Sequence, residues 1–406
     1  MNKILIINQH TCNHGDESAG IALIRKITNK YNDCQIDILY NWYGNLNPNA
    51  FIGNEDFNSI KHYHFPVNKF DKILIRLTSY LPAFAWVLSL FSRTLKKQYK
   101  LIKNYDLIIN GPTGINLGPY EDWYYLWRLL IVKKLNIPLV IYSISFGPLD
   151  RVSSFFRKRT LEVLKYAKFL SLRDEKSHKY GEQYKINFHK AIDTTFLITE
   201  RKGIPKEYEH LAKEEYVVIV PNELYRWHTY FKNVDKNKMD DLYIQIINSI
   251  SSHHEMKVVL LPQMFSEEND KDYMLSLISD SDNSSITVID ERYDSDVQQE
   301  IIANSQFVIG ARYHTIVFAI NNLVPFYALS YEHKMANMLS ILDLKEFSVD
   351  LLSLFEKDNN IDSVISDISS CLNQRSSNRT RIEVANKKAI SIANKTFSEF
   401  EDCLKF

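Results

Sequence analysis

Apolar and polar positions alternate along this chain in blocks. Short apolar runs without internal polar alternation are separated by longer stretches in which apolar residues recur at steps of three and four. The first series of runs is Ile4–Asn8, Gln35–Leu39, Asp106–Asn110, Leu139–Ile144 and Phe169–Leu172. A second series follows at Tyr216–Val220, Lys257–Leu261, Ile286–Ile289, Phe307–Gly310 and Phe326–Leu329. Such runs are expected of parallel strands covered on both faces. Helix-like stretches lie between them, among them Ser18–Lys30, Ser153–Tyr166, Asp240–Ser252, Ser295–Asn304 and His314–Asn321. A strand–helix–strand rhythm that occurs twice predicts an α/β chain with two doubly wound parallel sheets. Gly203, Pro205 and a charged run interrupt the rhythm over Thr199–Glu215. We therefore expect a first lobe over residues 1–200 and a second over 201–378. A terminal helix over 379–405, with no strand after it, is expected to pack back on the first lobe.

Length supports that division, since 406 residues exceed what one core usually serves. Composition excludes more than it identifies. Apolar residues make up 45% and charged residues 24%, as in an ordinary soluble globular enzyme. Lys plus Arg (49) equals Asp plus Glu (49), so no global field draws the chain towards nucleic acid. Any anion site has to be built locally. Cys12, Cys34, Cys371 and Cys403 have no C-x-x-C spacing, which argues against a zinc site or a disulfide framework and fits a reducing cytoplasm. The opening apolar run is too short for a signal peptide and reads as a first strand. Aromatic residues, at 13%, suit a sugar-binding cleft and a core equally well and decide nothing.

In doubly wound sheets, ligands gather where strand ends meet helix N-termini. Four loops of that kind stand out. The first, Asn8–Ser18, contains Gly15-Asp16-Glu17 at the start of a helix; Asp and Ser there also serve as simple caps. The second is Gly111-Pro112-Thr113-Gly114-Ile115-Asn116-Leu117-Gly118, whose glycines let backbone approach a ligand but match no dinucleotide or phosphate-loop fingerprint. The third, Ser143–Leu149, carries Gly147-Pro148. The fourth is the sharpest. Arg312 and His314 lie between a buried strand and a helix, and the next strand ends at Ser330-Tyr331 with Lys334 in the following helix. Arg offers carboxylate or phosphate a bidentate fork, and His donates to an anion or exchanges a proton. Two neighbouring loops that both present cations point to an anion site.

Taken in order, these segments resemble the polysaccharide pyruvyl transferase family over about Lys3 to Leu344. The matching segments are Gly15-Asp16-Glu17, Gly111–Gly118, Gly147-Pro148, Arg173-Asp174-Glu175-Lys176-Ser177 and Asp193. The strongest are Gly310-Ala311-Arg312-Tyr313-His314, Val324-Pro325 and Tyr331-Glu332-His333-Lys334. The chain departs from the family in its Gly-Pro-Thr-Gly loop and at His14, positions that bear on acceptor choice. The resemblance implies two Rossmann-like doubly wound lobes similar to GT-B glycosyltransferases, with a cleft between them. It also implies phosphoenolpyruvate as donor, and a pyruvate ketal, commonly 4,6-linked, on a hexose of a surface-polysaccharide precursor.

That chemistry needs cations for the donor's phosphate and carboxylate, an acid for its methylene, and a base for a hydroxyl. Arg312 and Arg173 are the candidate clamps, with Lys334 assisting. His314 is the candidate acid or the partner of the leaving phosphate, and Asp16 a candidate base on the acceptor side. Gly15, Gly111, Gly114, Gly147, Ser330 and Tyr331 are candidate substrate contacts. Neither a metal nor a cofactor is expected. Two other readings remain open: a nucleotide-sugar glycosyltransferase, and a non-catalytic sugar-binding protein of the same fold. A last stretch, residues 72–103, also reads two ways. Ile73, Leu77, Leu81, Phe84, Leu88, Phe91 and Leu95 mark one helical face, beside Tyr80, Trp86, Arg93, Lys96, Lys97, Lys100 and Lys103. It is either core helices broken near Pro82, or a peripheral contact with the inner face of the membrane that serves a lipid-linked oligosaccharide acceptor.

Overall fold

The structure, a computed structural model, describes residues 3–10, 13–31, 33–41, 59–80, 91–112, 114, 116–198, 203–226, 234–265, 269–279, 284–289, 293–331, 333–356 and 361–403. Cys12, Leu81, Pro82, Phe84, Trp86, Leu88, Thr113, Ile115 and Glu332 lie outside them. The chain divides into two compact units. One comprises Met1–Thr11, Asp16–Ile198 and Ser391–Phe406; the other comprises Cys12–Gly15 and Thr199–Ile390.

The first unit is built on a parallel sheet in the order β3-β2-β1-β4-β5-β6-β7. Its strands are β1 (Lys3–Gln9), β2 (Gln35–Tyr40), β3 (His62–Tyr63), β4 (Leu107–Asn110), β5 (Leu139–Ile144), β6 (Phe169–Leu172) and β7 (His189–Lys190). The central strands are buried along their length. Ile, Leu and Val suit that position because both sheet faces are covered. Helices α1 (His14–Lys30), α2 (Lys69–Tyr80), α3 (Arg93–Ile102), α4 (Trp123–Lys134), α5 (Ser154–Tyr166) and α6 (Glu175–Gln183) form the crossovers. Ser92, Asp122, Ser153 and Asp174 cap α3 to α6, each accepting a first-turn amide.

Helix α4 shows no amphipathic period. Ten of its twelve residues are buried, Arg128 among them at 0% exposure. The Arg128 guanidinium donates to Gln98 Oε1 (2.8 Å), to Asn8 Oδ1 (3.2 Å), to the Tyr40 carbonyl (2.8 Å) and to the Tyr124 hydroxyl (2.5 Å). Asn8 meets it from a left-handed backbone (φ 61°) at the point where β1 slips register against β2. Asn tolerates that conformation better than most residues.

The second unit repeats the plan as β10-β9-β8-β11-β12-β13, again parallel. Its strands are β8 (Tyr216–Val220), β9 (Lys257–Leu260), β10 (Ile286–Val288), β11 (Phe307–Gly310), β12 (Phe326–Ser330) and β13 (Ser348–Asp350). Its helices include α7 (Lys236–Asn248), α8 (Asp270–Leu277), α9 (Ser295–Ala303), α10 (Tyr313–Asn321) and α11 (His333–Ile341). In each sheet the order reverses beside the first strand, giving a switch point between β1 and β4 and another between β8 and β11. The terminal helix spans Arg375–Glu401 and runs through both units. In its final part Phe397 and Phe400 are buried, and Glu401 accepts from the Tyr31 hydroxyl (3.0 Å).

The single apolar face expected over residues 72–103 is split. Leu95, Leu74 and Ile75 are buried, whereas Ile73, Leu77 and Phe91 are exposed. The reason is local. Helix α2 packs through Asp71, Leu74, Ile75, Thr78 and Ser79, a face rotated away from Ile73 and Leu77.

Candidate functional site

At the carboxyl edge of the second sheet, four neighbouring strands end in polar residues. Pro221-Asn222 follows β8, Pro262-Gln263 follows β9, Arg312–Thr315 follows β11, and β12 ends at Ser330. Asn222, Gln263, His314, Thr315 and Ser330 are all buried. Among the described residues, Asn222 Oδ1, Gln263 Nε2, Arg312 Nε and Thr315 Oγ1 are buried without a hydrogen bond. A cluster of such atoms at a switch point is what a polar ligand site requires, because a buried polar atom without a partner is otherwise costly.

Arg312 stands at the N-cap position of α10 in extended backbone (φ −102°, ψ 137°), and no side chain caps that helix. Helices α7, α8 and α9 of the same unit are each capped by a side-chain acceptor, from Asp235, Asn269 and Asp294. An anion at the start of α10 would find the positive end of the helix dipole. Arg312 Nη2 pairs with Asp270 Oδ1, and these side chains are 13% and 6% exposed. Asp270 Oδ2 accepts from the Gln263 and Met264 amides at 3.0 and 2.9 Å. One carboxylate thus fixes both the arginine and the loop after β9. Burial alone would lower the Arg312 pKa; Asp270 and Tyr331 outweigh it, and the net shift is upward. The guanidinium stays charged.

His314 is packed on a glycine. A Cβ on Gly15 would lie 1.8 Å from His314 Nδ1 and 2.0 Å from its Cγ, so no other residue fits unless the ring moves. The Tyr313 ring stands edge-on to His314 at 4.9 Å. The segment before Gly15 is part of the second unit: Asn13 bridges Met264, His14 N donates to the Gln263 carbonyl (3.1 Å), and the His14 ring packs edge-on against Phe265 (4.6 Å). Gly15, far in sequence from Arg312 and His314, therefore belongs with them to one strand-end cluster. Ser330 and Tyr331 lie at the next strand end, and Lys334, half-buried, is in the first turn of α11.

The remaining candidates belong to the first unit. Asp16 is half-buried in the first turn of α1, and Gln9 Nε2 donates to its carbonyl at 2.7 Å. Gly111 leaves room for Gln9, whose Oε1 would be 2.8 Å from an added Cβ. Gly114 is half-buried. Gly147 adopts φ 81° under Tyr180, a conformation and a spacing that both favour glycine. Arg173 donates to Asp193 Oδ2 (2.7 Å) and Ser145 Oγ (3.3 Å), with 3% and 0% of the Arg173 and Asp193 side chains exposed. This pairing joins the ends of β5, β6 and β7 and commits the guanidinium. Among the described residues, no group of three or more His, Cys, Asp or Glu could hold a metal ion.

Asn222, Gln263 and Asp270 were missed by sequence reasoning. A signal existed for the first two, since Val-Ile-Val-Pro-Asn and Val-Leu-Leu-Pro-Gln both break a buried strand with proline followed by an amide. Asp270 opens an ordinary-looking acidic helix and carried none.

Two parallel α/β units with polar switch points define the architecture of GT-B glycosyltransferase-like enzymes. A polysaccharide pyruvyl transferase family model matches residues 13–333, and the chain belongs to that family. It is 23% identical over 378 residues to the amylovoran biosynthesis protein AmsJ of Erwinia amylovora, with 87% of this chain and 89% of AmsJ covered. Among solved structures it resembles Anabaena Alr3699/HepE in complex with UDP-glucose (TM-score 0.62, 13% identity, 100% and 99% of the two chains covered). It also resembles a putative UDP-N-acetylglucosamine 2-epimerase from Listeria monocytogenes (TM-score 0.65, 10% identity, 100% and 96% covered). At these identities the structural likeness concerns the fold alone.

Proposed function

We propose that the protein transfers pyruvate from phosphoenolpyruvate onto a hexose of a surface-polysaccharide precursor, closing a ketal, in a 4,6 arrangement, across two hydroxyls. Family membership supports the reaction class. The involvement of AmsJ in amylovoran biosynthesis supports a biosynthetic setting, and a phosphoenolpyruvate donor suits the cytoplasm. The observation that carries the reading is the cluster of Arg312, His314 and Gly15 at the uncapped start of α10. It joins a permanent cation, backbone donors and a proton-exchanging ring in one loop.

In this mechanism Arg312 and the start of α10 bind the donor's phosphate or carboxylate, with Lys334 adding charge. His314 donates a proton to the methylene carbon, and positive charge develops at the neighbouring carbon. The first sugar hydroxyl attacks that carbon and loses its proton to a base, for which Asp16 is the candidate. The bond to the phosphate oxygen breaks and phosphate departs. The second hydroxyl then closes the ring and releases its proton. Of the two hydroxyl protons released, one replaces the proton placed on the methyl group and the other leaves with phosphate, so the reaction balances without an oxidant or reductant. Arg173, already paired with Asp193, serves here as a strut beneath the loops that carry Ser145 and Gly147.

A second reading, transfer from a nucleotide sugar, has one observation in its favour: the full-length likeness to HepE, which was solved with UDP-glucose. Thermal denaturation with each donor separates the two. Phosphoenolpyruvate should raise the midpoint and UDP-hexoses should not; the reverse result would replace pyruvyl transfer by glycosyl transfer.

A further inference from the structure

Helix α2 carries an apolar stripe that the protein leaves uncovered. Phe70, Ile73 and Leu77 are 53%, 58% and 45% exposed, and Phe91, just before α3, is 69% exposed. Ser92 donates to Asp71 at 2.5 Å, which keeps Phe91 at the Phe70 end of α2. Elsewhere among the described residues, the exposed large apolar side chains Tyr120, Ile244, Leu275 and Val384 lie on separate segments, one on each. At about 100° per residue, Phe70, Ile73 and Leu77 fall within an arc of about 60°. Exposed Lys69, Arg76 and Lys72 occupy the adjoining arc, and the buried face Asp71, Leu74, Ile75, Thr78 and Ser79 completes the circle. Helix α3 presents exposed Arg93, Lys96, Lys97 and Lys100. The one carboxylate on either helix, Asp71, is buried at 2% exposure and turned to Ser92 and Asn68. In a chain whose charges balance overall, this surface is apolar and cationic together.

We propose that α2 is an interfacial helix that docks the first unit on an anionic lipid surface. Phe70, Ile73, Leu77 and Phe91 would enter the boundary between headgroups and acyl chains, while Lys69, Lys72 and Arg76 lie over anionic headgroups with their stems along the apolar edge. Charge decides the occupant. A neutral apolar partner would gain nothing from seven exposed cations on the two helices, and a second copy of this chain would set like charges against each other, whereas an anionic leaflet attracts every one of them. Among the described residues, no helix is long and apolar enough to cross a membrane. The inference is independent of the donor's identity, because it uses no residue of the strand-end cluster.

The test is flotation of the full chain with vesicles of phosphatidylcholine alone or mixed with phosphatidylglycerol, at low and high salt. Three variants accompany the wild type: Ile73→Glu/Leu77→Glu, Lys69→Glu/Lys72→Glu/Arg76→Glu, and Val384→Glu as a control on a lone exposed apolar residue. All substituted side chains are exposed, and circular dichroism checks that each variant folds. The wild type and the control should float with anionic vesicles and release at high salt. Both α2 variants should lose at least about tenfold in partitioning. If the wild type floats with neither vesicle, or if both α2 variants float as it does, the proposal fails. A wild-type dimer dispersed by Ile73→Glu/Leu77→Glu, without flotation, would assign the stripe to self-association and overturn it as well.

Discussion

Replacing Gly15 by alanine tests the packing on which the site depends. The added Cβ would fall 1.8 Å from His314 Nδ1 and 2.0 Å from Cγ. Ordinary contact needs about 3.4 Å or more, so the ring or the α1 start must retreat by roughly 1.5 Å. His314 is 7% exposed and edge-on to Tyr313, so the ring has no open space to enter. Overpacking of this kind costs about 1–3 kcal/mol, and alanine in a helical turn returns about 0.5–1 kcal/mol. The net loss is at most about 2.5 kcal/mol, which lowers the thermal midpoint by no more than about 10 °C in a unit of this size, and the protein stays folded. Activity is far more sensitive. Displacing a proton donor by about 1 Å costs on the order of 100-fold in turnover. Acid-labile pyruvate incorporated into a polysaccharide-precursor fraction is the assay, with phosphoenolpyruvate as donor. Gly203→Ala, whose added Cβ would meet nothing within 4 Å, is the control and should match wild type. If Gly15→Ala retains activity within a few-fold, His314 need not sit where Gly15 holds it, and the argument is refuted.

Arg312→Ala should cost about 2–4 kcal/mol of transition-state stabilisation, and Asp270→Asn should lower activity less while loosening the loop after β9; equal activity in both variants and wild type would sever the pair from function. Arg128→Met should lose about 2–4 kcal/mol in chemical denaturation, because the Asn8, Tyr40 and Gln98 oxygens each lose a buried donor; an unchanged midpoint would mean that they find other partners. His62, whose Nδ1 shares a 2.7 Å hydrogen bond with the Tyr40 hydroxyl, has its pKa lowered by burial despite the opposing pull of Asp37. The unfolded chain therefore binds this proton at higher pH than the folded one, so its contribution to stability is present above about pH 6.5 and is lost as pH falls below it. Thermal midpoints from pH 7.5 to 5.5 should decline less steeply in His62→Phe than in wild type, and identical slopes would exclude the linkage.

All ten apolar runs became strands, four of them, Leu139–Ile144, Phe169–Leu172, Tyr216–Val220 and Phe307–Gly310, with the expected bounds. A strand buried on both faces must be apolar at every position, which makes such runs conspicuous. The strands that escaped were His62–Tyr63, His189–Lys190 and Ser348–Asp350, short pairings at sheet edges with no buried run to betray them. Helix α4 was hidden for the opposite reason: buried almost all round, it shows no polar stripe. The placement of Arg312 and His314 between a buried strand and a helix was legible, because β11 is an unbroken apolar run. Asp270 was not, since its partner Arg312 lies 42 residues away and only the fold brings the pair together. Arg173, a candidate clamp through the matching Arg173–Ser177 segment, lies at 3% side-chain exposure against Asp193, and nothing local in the sequence announces that pairing.

The most direct test of pyruvyl transfer follows the donor's carbon. Phosphoenolpyruvate labelled with carbon-13 at the enol carbon is incubated with the protein and a polysaccharide-precursor acceptor in deuterium oxide, and the products are read by nuclear magnetic resonance. Protonation of the methylene from an exchangeable donor predicts a labelled ketal carbon bearing a singly deuterated methyl group, with one phosphate released per ketal. Phosphoenolpyruvate left intact while a UDP-hexose is consumed, or a product that keeps the enol double bond, would contradict it.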